Sequence, residues 1–364
     1  MLDFFRLSDT LITPATNEGD HPLAKLALRP PRAPHAGSGQ SLDTTSALFL
    51  APMAGVTHSA FRRLLADFGG YGALFTEMLS ASAFLHESLE SSPFSKRRDC
   101  EGAVIYQFRT SGEENLEAVI EKMAGLQFAA IDLNLGCPAP KIQGKGSGAA
   151  LFRDFDRLKG VLVRIRKCYQ GPLTVKVRLG DDPENWRAPF LERLRLFEDS
   201  GVQAITVHPR FSGEKLKRRA RWTEFPWVVA QTSIPVIGNG DICSPRDVET
   251  HRALFEPLAG LMLGRIVAVK PWIFRDFAGL PGLEIDHAEI WDRLYRYTLE
   301  DMPADRAYGR MKEFSYYFAK NFFFGHEMFK RIQGARNVVE VREAALGFME
   351  AKPRLSLSET LNFT

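Results

Sequence analysis

The chain has 364 residues, of which 45% are hydrophobic and 25% are charged, so it can bury a large core and is not a disordered protein. The formal net charge of +3 permits a polyanionic partner without requiring one. Four widely spaced cysteines, with no histidine at zinc-ligand spacing, argue against a disulfide scaffold and a metal site. No apolar stretch is long enough for a membrane span, so we expect a cytoplasmic protein without membrane contact.

The chain begins with a segment that lacks sustained periodicity. Residues 14–46 are rich in Pro, Gly, Ser and Thr, which predicts a flexible leader over residues 1–46. From Ala47 onward, short apolar runs alternate with segments long enough for a helix, the pattern of repeated βα units. There are eight such runs, at 47–53, 73–79, 103–108, 130–136, 173–179, 204–210, 234–240 and 260–265.

Eight runs favour a closed (β/α)8 TIM barrel, in the α/β class, over residues 47–281. An open doubly wound sheet usually has fewer strands and carries a GxGxxG motif after the first one, which is missing here. Two of the intervals, 112–126 and 154–168, have apolar residues at helical spacing. After residue 281 the strand signals stop, which predicts a small all-helical C-terminal domain over 282–355 and a tail over 356–364.

Polar residues end the eight apolar runs. In a β/α barrel the active site forms at the C-terminal ends of the strands, so these residues should face one cavity. One such residue alone could be a solvated strand end, but the set favours a catalytic cavity. Its members are Pro52 and Met53, Glu77, Gln107, Asn134 and Cys137, Lys176 and Arg178, His208 and Arg210, Asn239 and Asp241, Gly264 and Arg265.

The sixth run predicts which side chains enter the barrel. Successive side chains of a strand point to opposite faces. Thr174, Lys176 and Arg178 should therefore line the barrel, while Leu173, Val175 and Val177 pack against helices. A cation such as Lys176 suits the pyrimidine edge of a flavin, where negative charge accumulates on reduction.

Glycines follow the last two runs, at the standard phosphate-binding place of this fold. Gly240 in GNGD and Gly264 before Arg265 would let backbone amides approach a phosphate, to which Arg265 could add charge-assisted hydrogen bonds. Glycines at these places also simply make turns.

A cysteine in the turn NLGCPAP, directly after the fourth run, is a candidate general acid. Cysteine thiols are mostly protonated at neutral pH, so Cys137 could give a proton to a developing carbanion. Cys100, Cys168 and Cys243 are expected to be small buried residues.

Nine segments resemble, in order and spacing, the tRNA-dihydrouridine synthases. They are LAPMAGVTHSAFR, FTEM, YQF, DLNLGCPAPKI, GAAL, VKVRLG, TVHPR, GNGDI and GRIVAVKPWIF, and they span about residues 47–275. The resemblance implies an enzyme that binds tRNA, is monomeric and contains FMN. In such an enzyme NADPH reduces the flavin, which transfers a hydride to C6 of a uridine in tRNA and gives 5,6-dihydrouridine.

The resemblance also implies roles for single residues. Cys137 would protonate C5 of the uridine, and Asn134 and Arg178 would contact the substrate. The residues implied to contact FMN are Pro52, Met53, Gln107, Lys176, His208, Asn239, Gly240, Asp241, Gly264 and Arg265.

The sequence departs from the family at three places. His58 stands where the family usually has Asp, and Lys270 where it usually has Asn. After the sixth run, HPRFSGEKLKRRARW replaces the usual HGRTR, with five basic residues from Lys215 to Arg221. These cations and the aromatic residues interleaved with Lys and Arg in 313–332 would suit RNA phosphates and stacked bases, although a solvated charged face or a packed helix gives the same pattern.

Two other functions remain open. A flavin barrel acting on a small molecule, of the dihydroorotate dehydrogenase kind, would not need the basic helical segment. A non-catalytic RNA-binding relative would not need Cys137, Lys176 or the GNGD motif. The pattern also leaves open which uridine is modified, whether the RNA is transfer or ribosomal RNA, and whether NADPH or NADH is the donor.

Overall fold

A computed structural model describes residues 47–214 and 218–356. The leader predicted over 1–46 lies outside the described residues, as does the predicted tail apart from Ser356. Within the two ranges the strands are β1 (Leu48–Leu50), β2 (Leu74–Phe75), β3 (Leu79–Ser80), β4 (Val104–Arg109), β5 (Ala130–Leu135), β6 (Leu173–Arg178), β7 (Ala204–His208), β8 (Val236–Asn239) and β9 (Gly260–Leu263).

The helices between and after the strands are α1 (Ser59–Phe68), α2 (Ala81–Phe84), α3 (Leu116–Met123), α4 (Pro140–Gln143), α5 (Ala149–Arg153), α6 (Phe155–Cys168), α7 (Arg187–Asp199), α8 (Phe225–Ala230), α9 (Pro245–Thr250), α10 (Arg252–Phe255), α11 (Arg265–Val269), α12 (Ile273–Phe277), α13 (His287–Asp301), α14 (Ala304–Phe318), α15 (Gly325–Gly334) and α16 (Val338–Glu350). Short 3₁₀ helices span Asp99–Glu101, Ser212–Glu214, Trp222–Glu224 and Ala319–Asn321. No helix in the described ranges is long and apolar enough to cross a bilayer.

The strands form a closed parallel barrel, which confirms the predicted (β/α)8 fold. They pair in the order β1-β9-β8-β7-β6-β5-β4-β2, and β3 also pairs with β4. A parallel bridge between Phe49 and Ala73 joins β1 to the start of β2, and the Leu50 amide donates to the Ala73 carbonyl over 3.1 Å. The C-terminal strand ends therefore meet around one opening.

The run predicted as one strand over 73–79 is divided into β2 and β3. The reason is Thr76, whose Oγ1 accepts a hydrogen bond from the Gln107 amide over 3.1 Å in place of a backbone carbonyl. The same hydroxyl donates to the Glu77 carbonyl over 2.9 Å. A side chain thus interrupts the backbone ladder between the two short strands.

The alternation predicted for β6 is confirmed. Leu173, Val175 and Val177 are fully buried in the main apolar cluster, together with side chains of the surrounding helices. On the other face, Thr174 and Lys176 make hydrogen bonds to polar side chains of β5 and β8. The two predicted helical intervals are present as α3 and α6.

The C-terminal region is helical, as predicted, and its helices α13 to α16 pack directly on the barrel. The rings of Phe61 on α1 and Phe314 on α14 lie 5.9 Å apart. Ser59 donates a hydrogen bond to Asp301 over 2.5 Å. One apolar cluster runs through the barrel helices and the C-terminal helices alike. The boundary between residues 281 and 282 stays a prediction.

Candidate active site

A cavity of about 310 Å³ opens at the C-terminal ends of the strands. The residues that the resemblance implied for catalysis, FMN binding and substrate binding all line this cavity: Pro52, Met53, Gln107, Asn134, Cys137, Lys176, Arg178, His208, Asn239, Gly240, Asp241, Gly264 and Arg265. Arg210, named among the strand ends, lines it too. Glu77, also named among the strand ends, does not line the cavity, and its Oε2 accepts a hydrogen bond from the Gly55 amide over 2.9 Å.

A directed chain of hydrogen bonds lies beneath one side of the cavity. Thr174 donates to Oδ1 of Asp132 over 2.5 Å, and Nε2 of Gln107 donates to Oδ2 of Asp132 over 2.8 Å. Because Gln107 thereby directs its carbonyl oxygen away from Asp132, that oxygen accepts from Nδ2 of Asn134 over 2.8 Å. The Asp132 carboxylate therefore fixes the orientation of two successive amide side chains.

The chain of hydrogen bonds ends at the turn that carries Cys137. Oδ1 of Asn134 accepts from the Cys137 amide over 3.0 Å and from the Gly136 amide over 3.3 Å. The Cys137 carbonyl accepts from the Ala149 amide over 3.2 Å. Gly148 has φ +64°, and a Cβ at this position would lie 2.9 Å from the Cys137 carbonyl oxygen. The turn thus places the Cys137 thiol at the cavity wall.

Asp132 and Lys176, on this side of the cavity, have displaced pKa values. Burial raises the pKa of Asp132 to about 6, although its hydrogen bonds and the nearby Lys176 act in the opposite direction. Burial, aided by the Arg178 charge, lowers the pKa of Lys176 to about 8. Lys176 holds its ammonium toward Asn239, with Nζ donating to Oδ1 over 2.9 Å.

The other side of the cavity is strongly cationic. Asp241 accepts from Nη2 of Arg210 over 2.5 Å and from Nη2 of Arg265 over 2.9 Å. Its carboxylate also accepts from the Ala220 amide over 2.8 Å. Asp241 therefore lies where the sequence predicted, with a carboxylate that holds two arginines in place.

His208 is neutral in this surrounding. Burial and then the charges of Lys176 and Arg178 keep the pKa of His208 well below its ordinary value. Its Nε2 lies 2.8 Å from Nη1 of Arg210, a group that can only donate, so Nε2 is the acceptor and Nδ1 carries the proton.

Gly240 allows the backbone to approach this cationic end. Its φ is +111°, and a Cβ there would lie 2.8 Å from Cδ2 of His208 and 3.0 Å from Cβ of Ala220. Trp222 donates from Nε1 to the Gly240 carbonyl over 2.7 Å, which fixes the turn. Only glycine fits this backbone without displacing a cavity residue.

Asp132 and Tyr317 are among the site residues that sequence reasoning missed. Asp132 precedes Asn134 by two positions on β5, so the alternation of a strand could have pointed to it. Tyr317 lines the cavity from α14, far from any strand end, and no local pattern marks it.

The remaining expectations have mixed outcomes. Cys168 and Cys243 are partly exposed, and Cys243 lines the cavity. The expectation that Cys100 is buried is wrong, since it is exposed on its 3₁₀ turn, where the inward position is taken by Glu101 in a fully buried ion pair with Arg62. His58 is buried, and burial lowers its pKa to about 3.

In each of the two basic and aromatic segments, some side chains pack against the protein and others are exposed. Arg221 forms a two-fold ion pair with Glu214, at 2.5 and 2.6 Å, whereas Arg218 and Arg219 are exposed. Lys215 and Lys217 lie outside the described residues. In 313–332 the buried aromatic residues are Phe314, Phe318 and Phe322, and the strongly exposed ones are Phe323 and Phe324.

Comparison with known proteins gives consistent results. The family profile described as "Dihydrouridine synthase (Dus)" matches residues 49–341. Over 278 residues the chain is 33% identical to "tRNA-dihydrouridine synthase B" of Pseudomonas putida, covering 72% of this chain and 77% of that protein. It is 37% identical to a "Probable tRNA-dihydrouridine synthase" of Rickettsia conorii, and the match covers 64% of this chain and 70% of that protein. It is 35% identical to "tRNA-dihydrouridine synthase B" of Klebsiella pneumoniae, and the match covers 63% of this chain and 70% of that protein.

Proposed function

The chain belongs to the dihydrouridine synthase family of flavin-dependent oxidoreductases, and from this premise we propose that it uses FMN and NADPH to reduce a uridine of tRNA to 5,6-dihydrouridine. The observation that carries the proposal is the meeting of a thiol, a partly buried ammonium and a cationic, glycine-containing end in one cavity. A thiol can supply the proton, an ammonium can stabilise a reduced flavin, and the cationic end can hold a phosphate.

The residues present fit FMN. Gly240 lacks the Cβ that would fill the cationic end, and Arg265 and the Gly240 and Gly264 backbones would hold the phosphate there. Asp241 would act by positioning Arg265, because a carboxylate repels a phosphate. Gln107, Lys176, His208 and Asn239 would hold the polar groups of the ring, and Pro52 and Met53 its apolar face. Bound FMN would supply the electrons, received from NADPH, that saturate the 5,6 double bond.

Lys176 and Asn239 would hold the electron-rich edge of the ring. Asn239 donates from Nδ2 to the Met262 carbonyl over 2.8 Å, so its Oδ1 is turned to Lys176. This contact keeps the ammonium in one place inside the barrel. A cation fixed in advance stabilises a developing negative charge without the cost of reorganising.

Cys137 would act on the other reactant. Its Sγ–H donates the proton to C5 of the uracil, while Asn134 and Arg178 hold the base. Asn134 holds the Cys137 amide and is itself oriented through Gln107, so the acid and the base-binding amide are placed by the same chain of hydrogen bonds. General acids placed in this way contribute about 10²- to 10⁴-fold in rate.

The target base has to leave its stack to enter a cavity at the barrel mouth. Residues 282–355 would form the RNA-binding domain and residues 47–281 the catalytic barrel. The exposed cations Arg218 and Arg219 and the exposed rings of Phe323 and Phe324 would contact the RNA around the mouth.

The proposal is tested by mapping dihydrouridine in the tRNA of cells that lack this gene. Mass spectrometry detects the two added hydrogens, and cells are complemented with wild type, Cys137→Ala or Cys168→Ala. We expect wild type and Cys168→Ala to restore one dihydrouridine, and Cys137→Ala to leave it missing. If every tRNA dihydrouridine persists without the gene, the substrate is another RNA or a small molecule, and the proposed function is wrong.

A further inference from the structure

Tyr317 belongs to a helix of the C-terminal region, yet it lines the catalytic cavity. Its position results from the packing of α14 on α11, the short helix whose first residue is Arg265. Beyond the end of α14, Nδ2 of Asn321 donates to the Val269 carbonyl over 2.6 Å and to the Phe318 carbonyl over 3.0 Å. These bonds hold the end of α14 against the end of α11.

Tyr317 lies at the cationic end of the cavity. Burial and then the Glu313 charge raise the pKa of Tyr317, and the positive charge of Arg265 opposes that rise. Burial, with the same Arg265 charge, lowers the pKa of Lys320, three residues further on. Arg265 is thus close enough to both side chains for their charges to interact. The same end contains Gly240 and Gly264.

We propose that Tyr317 is a cofactor-binding residue whose hydroxyl donates a hydrogen bond to the phosphate of FMN. The inference rests on the proposed function, because it takes FMN to be the ligand of this cavity. A phenolic O–H is a good donor to an anionic oxygen. The C-terminal helices then complete the flavin site in addition to contacting RNA.

The test compares two flavins that differ only in the phosphate. The apoprotein is titrated with FMN and with riboflavin, and dissociation constants are measured by flavin fluorescence for wild type, Tyr317→Phe and Tyr316→Phe. Tyr316 is a matched control, because its ring contacts that of Tyr317 at 5.1 Å while the residue is exposed and is not among those lining the cavity. Thermal unfolding of each apoprotein checks that the fold is kept.

We expect Tyr317→Phe to weaken FMN binding about tenfold or more, since hydrogen bonds to charged groups contribute about 1.5–3 kcal/mol. Riboflavin binding should be the same in all three proteins, and Tyr316→Phe should bind FMN like wild type. Unchanged FMN binding by Tyr317→Phe, or an equal loss for both flavins, would overturn the inference. If wild type binds neither flavin, the proposed function fails and this inference with it.

Discussion

Nζ of Lys176 on β6 donates a hydrogen bond to Oδ1 of Asn239 on β8, 2.9 Å away, so the contact spans the intervening strand β7 inside the barrel. The amide of Asn239 is fixed by its own bond to the Met262 carbonyl. The ammonium is therefore held in one position, although burial brings its pKa down to about 8. Small changes in pH above neutrality will change its charge.

The affinity for FMN should therefore fall in mildly alkaline solution. An ammonium that gains a contact with the flavin has a higher pKa in the complex than the value of about 8 without it. Binding is then strongest below that pH and weakens by up to about tenfold per pH unit above it. We expect Lys176→Met to bind FMN more weakly at neutral pH and to lack this slope in titrations over the same range. Lys141→Met, at an exposed position, is the control and should bind FMN as wild type does. If Lys176→Met kept the same dependence of FMN affinity on pH, the assigned contact between Lys176 and the flavin would be contradicted.

Gly240→Ala should disturb the cationic end of the cavity. The added Cβ would lie 2.8 Å from His208 in a backbone conformation of φ +111°. Strain of this kind costs about 1–3 kcal/mol, and displacement of His208 should weaken FMN binding about tenfold. Thermal unfolding and FMN titration measure the two effects. Gly213→Ala is the control, because a Cβ there meets nothing within 4 Å; equal behaviour of the two variants would show that Gly240 is an ordinary turn.

The buried carboxylate of Asp132 should make the free energy of unfolding depend on pH. Its pKa is raised from 3.8 to about 6, so its contribution to stability is fully present below 3.8 and is lost as the pH rises through about 6. In Asp132→Asn the amide oxygen can accept from Gln107 and the amide nitrogen can donate to the Thr174 hydroxyl, so both contacts are kept without a titrating group. Urea unfolding should therefore show wild type gaining about 1.4 kcal/mol over this variant between about pH 7.5 and about pH 5.

Asp99→Asn is the control for that experiment, since the side chain of Asp99 is 98% exposed. Its stability should differ from that of wild type by a nearly constant amount over the same pH range. A constant difference for Asp132→Asn as well would mean that Asp132 has no raised pKa in the folded protein.

Much of the fold and of the site could be predicted because both depend on local pattern. Strand ends in a β/α barrel converge by construction, so Gln107, Cys137, Lys176 and Gly240 could be placed in one cavity from their positions in the sequence alone. The same reasoning gave the inward face of β6, which the structure confirms.

The rest depends on contacts that local pattern does not contain. The break between β2 and β3 arises because the Thr76 hydroxyl reaches the Gln107 amide, thirty-one residues away. Tyr317 reaches the cavity only because α14 packs on α11. Asp241 lines the cavity, but its bonds to Arg210 and Arg265 could not be predicted from the motif GNGD.

The exposed rings of Phe323 and Phe324 provide a test of RNA contact. They are 58% and 59% exposed and stand nearly perpendicular, with ring centroids 4.9 Å apart. Stacking of an unpaired base contributes about 1–3 kcal/mol, so Phe323→Ala or Phe324→Ala should weaken tRNA binding about tenfold in a filter-binding assay. The salt dependence of binding should stay the same, because no phosphate contact is removed.

Val163→Ala provides the comparison, as this side chain is 47% exposed on α6 of the barrel. It should leave tRNA affinity unchanged, and all three variants should keep the FMN affinity of wild type. Wild-type tRNA affinity in both phenylalanine variants would place the RNA on another surface.

With the C-terminal helices as the proposed RNA-binding domain, the apolar cluster that joins them to the barrel limits how the preference for RNA can change. Helices transplanted from a relative would have to bring new partners for Phe61 and Ser59, which now contact Phe314 and Asp301. Without them, a large apolar face of the barrel would be exposed to water. New specificity should therefore arise by substitutions on the outer faces of α13 to α16, and the segment should be inherited as a whole. The barrel and these helices should also unfold together in a single cooperative thermal transition.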